Sequence, residues 1–203
     1  MLSSYYRKLW LTHFIDPRNK AWLQKSSSRL LKCALCLMND GERKTYAKEK
    51  RDKCEKMSGG VVLRDQQPLN ADKIEFSDGT KFRQYVMYLN KHVFFWPGNY
   101  RGRKGIAAFR KKYPGHIELR CKLGDLLDNE SEDKVLFSPY NSGATPRNPK
   151  KSPRCLCLFQ PLKSRKGQSF VEVVFRGQVR LPDNIKYKTE NGKWHPFFTP
   201  KNP

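Results

Sequence analysis

The chain has 203 residues, 37 % hydrophobic and 30 % charged, the balance of a folded domain rather than of a disordered tail. Its 41 Lys and Arg against 19 Asp and Glu leave a net charge of +22, too large for a surface of matched ion pairs. That surplus points to a polyanion as partner, nucleic acid first among them. No apolar run reaches the length of a membrane span, so no membrane partner is expected.

The opening MLSSYYRKLWLTHFID lacks an apolar stretch followed by a small-residue cleavage site, so a cytoplasmic protein is expected. Residues 5–12 read as a short strand. Asp16-Pro17 starts a helix, with Asp as cap and Pro in the first turn, and the helix runs over residues 18–25. Over residues 28–38 the apolar positions Leu30, Leu31, Ala34, Leu35 and Met38 recur at helical spacing. Residues 42–56 are a highly charged helical pattern, expected to be solvated. Ser58-Gly59-Gly60 then breaks the chain before a strand at residues 61–63, and the polar burst 64–67 follows where sheets place functional loops.

Residues 79–90 read as a helix with Phe82, Tyr85, Val86 and Leu89 in register, and residues 92–96 (HVFFW) as a buried strand ended by Pro97-Gly98. A basic helix at 106–112, a strand at 117–123, a turn at 125–127 and a short strand at 135–137 come next. A Pro/Lys-rich linker (144–153) leads to a strand at 155–159. The last strong strand is residues 169–175, SFVEVVF, with Val171, Val173 and Phe175 on one face and Phe170, Glu172 and Val174 on the other. Residues 177–187 continue the pattern. The tail after 190 holds too many prolines for regular structure. A single α+β domain over residues 1–190 is expected, helices early and short strands later, with an irregular basic tail at 191–203.

The charge is segregated. Residues 97–113 carry Arg101, Arg103, Lys104, Arg110, Lys111 and Lys112 without an acid. Residues 146–168 carry Arg147, Lys150, Lys151, Arg154, Lys163, Arg165 and Lys166, again without one. Acids gather instead at 128–133. Arg101, Arg103, Lys104, Arg110, Lys111, Lys150, Lys151 and Arg154 are therefore the candidate nucleic-acid contacts. Cys33-x-x-Cys36 and Cys155-x-Cys157 could join as a four-thiolate zinc site. Both pairs lie in apolar runs with no histidine close by, where cysteine serves as a small buried hydrophobe. No metal is expected, and no disulfide in a cytoplasmic protein. No Walker loop, dinucleotide-binding glycine motif, nucleophile elbow or H-E-x-x-H is present.

Four blocks taken in order carry a resemblance: LRDQQPL (63–69), LNKHVFFWPG (89–98), SPYNSGAT (138–145) and FVEVVF (170–175). Together they resemble a bacterial family of unknown function that looks like a distant branch of the ADP-ribosyltransferase fold, near the DarT-type toxins that modify nucleic acid. The resemblance implies an ADP-ribosyltransferase-like split β-sheet, NAD as cofactor and RNA or single-stranded DNA as substrate. It also implies a toxin or anti-phage role with a neutralising antitoxin partner. The N-terminal match departs from the family: Leu11-Thr12-His13-Phe14-Ile15 keeps the histidine but has Ile15 in place of threonine, and Arg29 stands where a glycine is expected before Leu30-Leu31.

Cleavage of the nicotinamide–ribose bond develops an oxocarbenium-like cation, which a fixed carboxylate stabilises while it orients the ribose or takes a proton. Glu172 suits that part; on strand pattern alone it is either an outward carboxylate at an open sheet surface or the lining of a cleft. Arg64, at a strand end, suits the cofactor phosphates, with Gln66 beside it. Phe94, Phe95 or Trp96 could wall the nicotinamide, Phe95 and Trp96 being preferred. His13, Asn141 and Ser142 complete the candidate cofactor contacts. The rival readings are a non-catalytic nucleic-acid-binding module on the same fold, a protein-directed ADP-ribosyltransferase, and an NAD-dependent 2′-phosphotransferase acting on RNA.

Overall fold

A computed structural model describes residues 4–161, 169–189 and 192–199. In chain order the elements are α1 (Ser4–Arg7), β1 (Trp10–Ile15), α2 (Lys20–Lys25), β2 (Leu30–Lys32), α3 (Ala34–Leu37), α4 (Asp40–Tyr46), β3 (Glu55–Lys56) and β4 (Val62–Leu63). Then come α5 (Phe82–Asn90), β5 (His92–Pro97), α6 (Tyr100–Lys112), β6 (Ile117–Lys122), α7 (Leu123–Leu127) and β7 (Val135–Ser138). The chain closes with β8 (Glu172–Arg176), β9 (Gln178–Arg180), β10 (Lys186–Lys188) and β11 (Trp194–Pro196). The fold is mixed α+β, with its longest helices, α5 and α6, in mid-chain rather than early.

Seven strands form one antiparallel sheet in the order β11-β10-β6-β1-β5-β8-β7, and two-stranded ribbons pair β2 with β9 and β3 with β4. β5 divides its pairing. Its last residues meet β1 through Leu11↔Pro97 and Thr12↔Trp96, while His92–Phe95 of the same strand ladder onto β8. β1 keeps its full register with β6 as far as Ile15↔Ile117. The sheet therefore parts between β1 and β5 beyond Thr12, and a cleft opens there.

Alternation along the central strands separates two cores. Val93, Phe95, Val173, Phe175, Val135 and Phe137 face one way, into a cluster with Leu11, Leu119 and Leu126. Phe94, Val174 and Leu136 face the other, against Tyr85 and Leu89 of α5 and against Leu69. Glu172 shares the parity of Val174, as the strand pattern predicts. Phe170 does not, because the ladder begins only at Glu172, and its ring packs on Phe137 at 4.8 Å in the first core.

Several local expectations are corrected. Residues 5–12 hold α1 and then the start of β1 instead of one strand. Residues 28–38 are no continuous helix: Arg29 takes φ 50°, β2 pairs with β9, and Cys33 caps the single turn α3. Charged residues 42–56 stay helical only through Tyr46. Residues 155–159 hold a 3₁₀ turn at Leu156–Leu158 instead of a strand, with the Cys155 sulfur accepting from the Cys157 amide, and the two sulfurs are joined as a disulfide. Cys33 and Cys36 share no cluster with them among the described residues, so no four-thiolate site is assembled. The proline-rich tail supplies β11, an edge strand that tolerates Pro196, and it buries Phe197 and Phe198 in the core.

Candidate functional site

The cleft between the parted strands encloses about 360 Å³, within the range of small-ligand sites, roughly 300–1,000 Å³. Its walls come from the C-terminal end of β1, the loop after β4, the end of β5, the last turns of α6, the turn after β7 and the first residue of β8.

Glu172 sits in this cleft, 2 % exposed. It is paired across the ladder with Ser138, and the turn that follows β7 brings Ser142 back over it. The Ser142 amide and hydroxyl both donate to Oε2, at 3.0 and 2.6 Å. Oε1 takes no hydrogen bond from any described residue. Burial pushes the carboxyl up to about 7, against the pull of the Ser142 donors and of the Arg154 guanidinium. Near neutral pH the group is thus poised between acid and carboxylate, the state a proton-handling residue needs.

His13 lies where the sheet parts. Its Nδ1 is 2.7 Å from the Phe94 carbonyl, which can only accept, so Nδ1 carries the proton and Nε2 keeps its lone pair. Burial lowers its pKa to about 4, with Arg64 and His116 adding to the fall. The ring is neutral at pH 7, and its hydrogen bond stitches the strands together at the point where the ladder stops.

Arg64 follows β4. Its guanidinium lies over the rings of Phe109 and Tyr113, at 4.9 and 5.0 Å, and it makes no ion pair among the described residues. The loop beneath it is tied down by a second, buried arginine. Nε of Arg51 donates to the Arg64 carbonyl at 3.0 Å, Nη1 of Arg51 donates to the Asn90 side chain at 3.0 Å, and the Arg51 carbonyl accepts from the Gln66 amide. The Gln66 side chain is occupied in this network, bonding Asn90 and the Arg51 amide. Those bonds hold the loop in place at the cleft wall. Burial lowers Arg51 to about 10, with the nearby Arg64 adding to the fall and Asp65 and Glu55 opposing it.

The aromatic walls are Phe94 and Trp96 of β5, with Phe109 of α6 and Tyr113 just after it. α6 approaches closely because Gly105 has no side chain: a Cβ there would lie 2.4 Å from Trp96 Nε1. Phe95 is corrected by strand parity. It points away from the cleft, 1 % exposed in the first core, and Phe94 takes the lining place.

His13, Arg64, Gln66, Trp96, Asn141, Ser142 and Glu172, scattered over 160 positions of sequence, thus border one cavity. The basic candidates divide. Arg101, Arg103, Lys104, Lys111, Lys150 and Lys151 are exposed. Arg110 is spent on the buried Glu118, gripping both oxygens at 2.7–2.9 Å. Arg154 is not a surface residue. It is 5 % exposed, donates to the carbonyls of Asn141 and Ala144, and braces the turn that caps Glu172. Lys163, Arg165 and Lys166 lie outside the described residues.

Sequence reasoning missed Arg51, Asp65, Tyr113 and His116. The Tyr113 hydroxyl donates to Asp65 at 2.7 Å. His116 Nε2 is buried at the cleft wall without a hydrogen-bond partner among the described residues, and burial holds its pKa below the usual histidine value. Tyr113 and His116 follow directly on the basic helix, so an aromatic and a histidine ending a cationic segment were the available signal. Arg51 had none, because its partners are remote in sequence.

Fold and site together define an α+β protein whose large antiparallel sheet parts to hold a buried carboxylate in the same cavity as an arginine that makes no ion pair among the described residues. The chain belongs to the family of unknown function DUF7002, whose model matches residues 10–184. No curated protein and no solved structure matches it.

Proposed function

We propose that this cleft binds NAD and that the protein is an ADP-ribosyltransferase acting on nucleic acid. The observation that carries the reading is Glu172: a buried carboxylate held by Ser142 at one oxygen, with no hydrogen bond to the other among the described residues, in the same cavity as Arg64. The donor set fits a dinucleotide. Arg64 offers a planar cation to phosphate, Trp96 and Phe94 offer flat walls to a ring, and Nε2 of His116, unbonded among the described residues, offers a polar contact inside the cleft. NAD, when bound, supplies an ADP-ribosyl group as nicotinamide departs with the bonding electron pair. Glu172, ionised, would set its negative charge against the positive charge that develops on the sugar, and Oε1 would take the proton of the incoming nucleophile. Neutral His13 would accept a hydrogen bond at Nε2 without adding positive charge. The split-sheet kinship to ADP-ribosyltransferases and a toxin or anti-phage role with a neutralising partner belong to the same proposal.

The acceptor class rests on the net charge of +22. Incubation with adenine-labelled NAD and a panel of RNA, single-stranded DNA and protein tests it, with digestion of the products by nuclease or protease. Label released by nuclease supports the reading. Label released only by protease would make the enzyme protein-directed, and no label on any acceptor would overturn it.

A further inference from the structure

Away from the cleft, the outer strands present a second arrangement that the transferase reading does not use. Trp10 on β1, Arg120 on β6 and Trp194 on β11 share one sheet face. The Arg120 guanidinium lies 4.5 Å from the centre of the Trp10 ring and 5.5 Å from that of Trp194. Trp10 is 38 % exposed, although a tryptophan beginning a central strand would ordinarily be covered. Lys122 stands opposite Trp10 in the ladder, with its ammonium 5.6 Å from the ring, and exposed Lys186 stands opposite Arg120. The acid on this stretch of β6, Glu118, is buried and claimed by Arg110. Cations and indole rings therefore alternate on a face with no free acid among these residues.

α6 links this face to the cleft. The Gly98 amide just before it donates to the Trp10 carbonyl, and its first turn carries exposed Tyr100 and Lys104, with the lysine 4.4 Å from the ring. Its last turn places Lys112 at the cleft. The helix spans roughly 20 Å, so a strand lying along it would run from beside Trp10 to Lys112 at the wall of the cleft.

We infer that the Trp10–Arg120–Trp194 face is a stacking platform for single-stranded nucleic acid, and that α6 leads that strand to the cleft. A flat sheet offering rings to bases and cations to phosphates suits unpaired nucleotides, whose faces are free, better than a duplex, whose faces are stacked inside. The platform rests on the nucleic-acid half of the proposed function and not on its chemistry.

Fluorescence anisotropy with labelled oligo-dT and oligo-U of about 12 nucleotides tests it, with a duplex of equal length and phosphatidylserine vesicles as competing ligands. The wild type should bind the single strands with quenching of tryptophan emission. Trp10→Ala and Trp194→Ala should each weaken binding about 5- to 150-fold, the worth of one stacked base. Trp10→Phe, which keeps a ring, should recover most of the loss. Arg120→Gln should lower the salt slope by about 0.7. A wild type that binds through the tryptophans yet consumes no NAD would sink the transferase reading and leave the platform standing. Binding untouched by both tryptophan substitutions, tighter binding of the duplex, or capture by vesicles alone would overturn the platform.

Discussion

Glu172→Gln is the substitution whose effect on stability follows most directly from the structure. The wild-type carboxyl is raised from 4.5 to about 7, chiefly by burial. Because the folded state holds this proton more tightly than the unfolded chain does, folding is favoured most below pH 4.5. The contribution declines as pH rises to 7 and is constant above it. Each pKa unit is worth about 1.4 kcal/mol, so ionised Glu172 costs the native state about 3 kcal/mol at pH 8. Glutamine keeps an oxygen to accept from the Ser142 amide and hydroxyl but never ionises. The variant should match the wild type within about 1 kcal/mol at pH 4.5, and exceed it by about 3 kcal/mol at pH 8, or roughly 6–12 °C in Tm. Urea unfolding of both proteins at the two pH values reads the difference, in which every other titrating group cancels. A difference that does not change with pH would refute the buried, proton-poised carboxylate. A variant less stable at pH 8 would show that the anion is stabilised where it stands.

Other substitutions probe the surrounding parts. Arg64→Lys should weaken NAD binding about tenfold or more by calorimetry, because an ammonium cannot both spread over Phe109 and Tyr113 and fork onto phosphate; equal affinity would remove Arg64 from the site. Ser142→Ala removes a donor that lowers the Glu172 pKa, so the acidic limb of the pH–rate profile for NAD consumption should move to higher pH. An unmoved limb would assign that limb to another group. Gly105→Ala would drive a methyl into Trp96, and should cost about 1–3 kcal/mol in urea unfolding while loosening the cleft wall; a neutral result would mean that α6 can shift freely. Arg51→Met should cost about 1–3 kcal/mol, since the Arg64 carbonyl loses its donor; full stability with full NAD affinity would show that the loop needs no such anchor.

Strong local patterns were legible in the sequence. HVFFW became β5, and the alternation of EVVF set Glu172 and Val174 against Val173 and Phe175. His13, Arg64, Gln66, Trp96, Asn141, Ser142 and Glu172 line one cavity, most of them at strand ends or in turns, whereas Arg51, Asp65, Tyr113 and His116 of the same cavity were not legible. What failed was decided at long range. The helical spacing of residues 28–38 lost to pairing of Leu31 with Val179, a partner more than a hundred residues away. Arg154 reads as one more surface cation, yet the carbonyls of Asn141 and Ala144 gather it inward. Phe95 and Phe94 differ by one position, and only the start of the ladder says which faces the cleft. The departure at Arg29 has a backbone reason: φ 50° is the conformation glycine adopts without strain, so the expected glycine answers to geometry and not to chemistry.

Release of nicotinamide bears most directly on the central claim. With NAD and single-stranded nucleic acid at neutral pH, the wild type should release nicotinamide continuously, and Glu172→Gln should do so at least about a hundredfold more slowly while binding NAD as tightly. No release by the wild type, or equal release by the two proteins, would contradict the account.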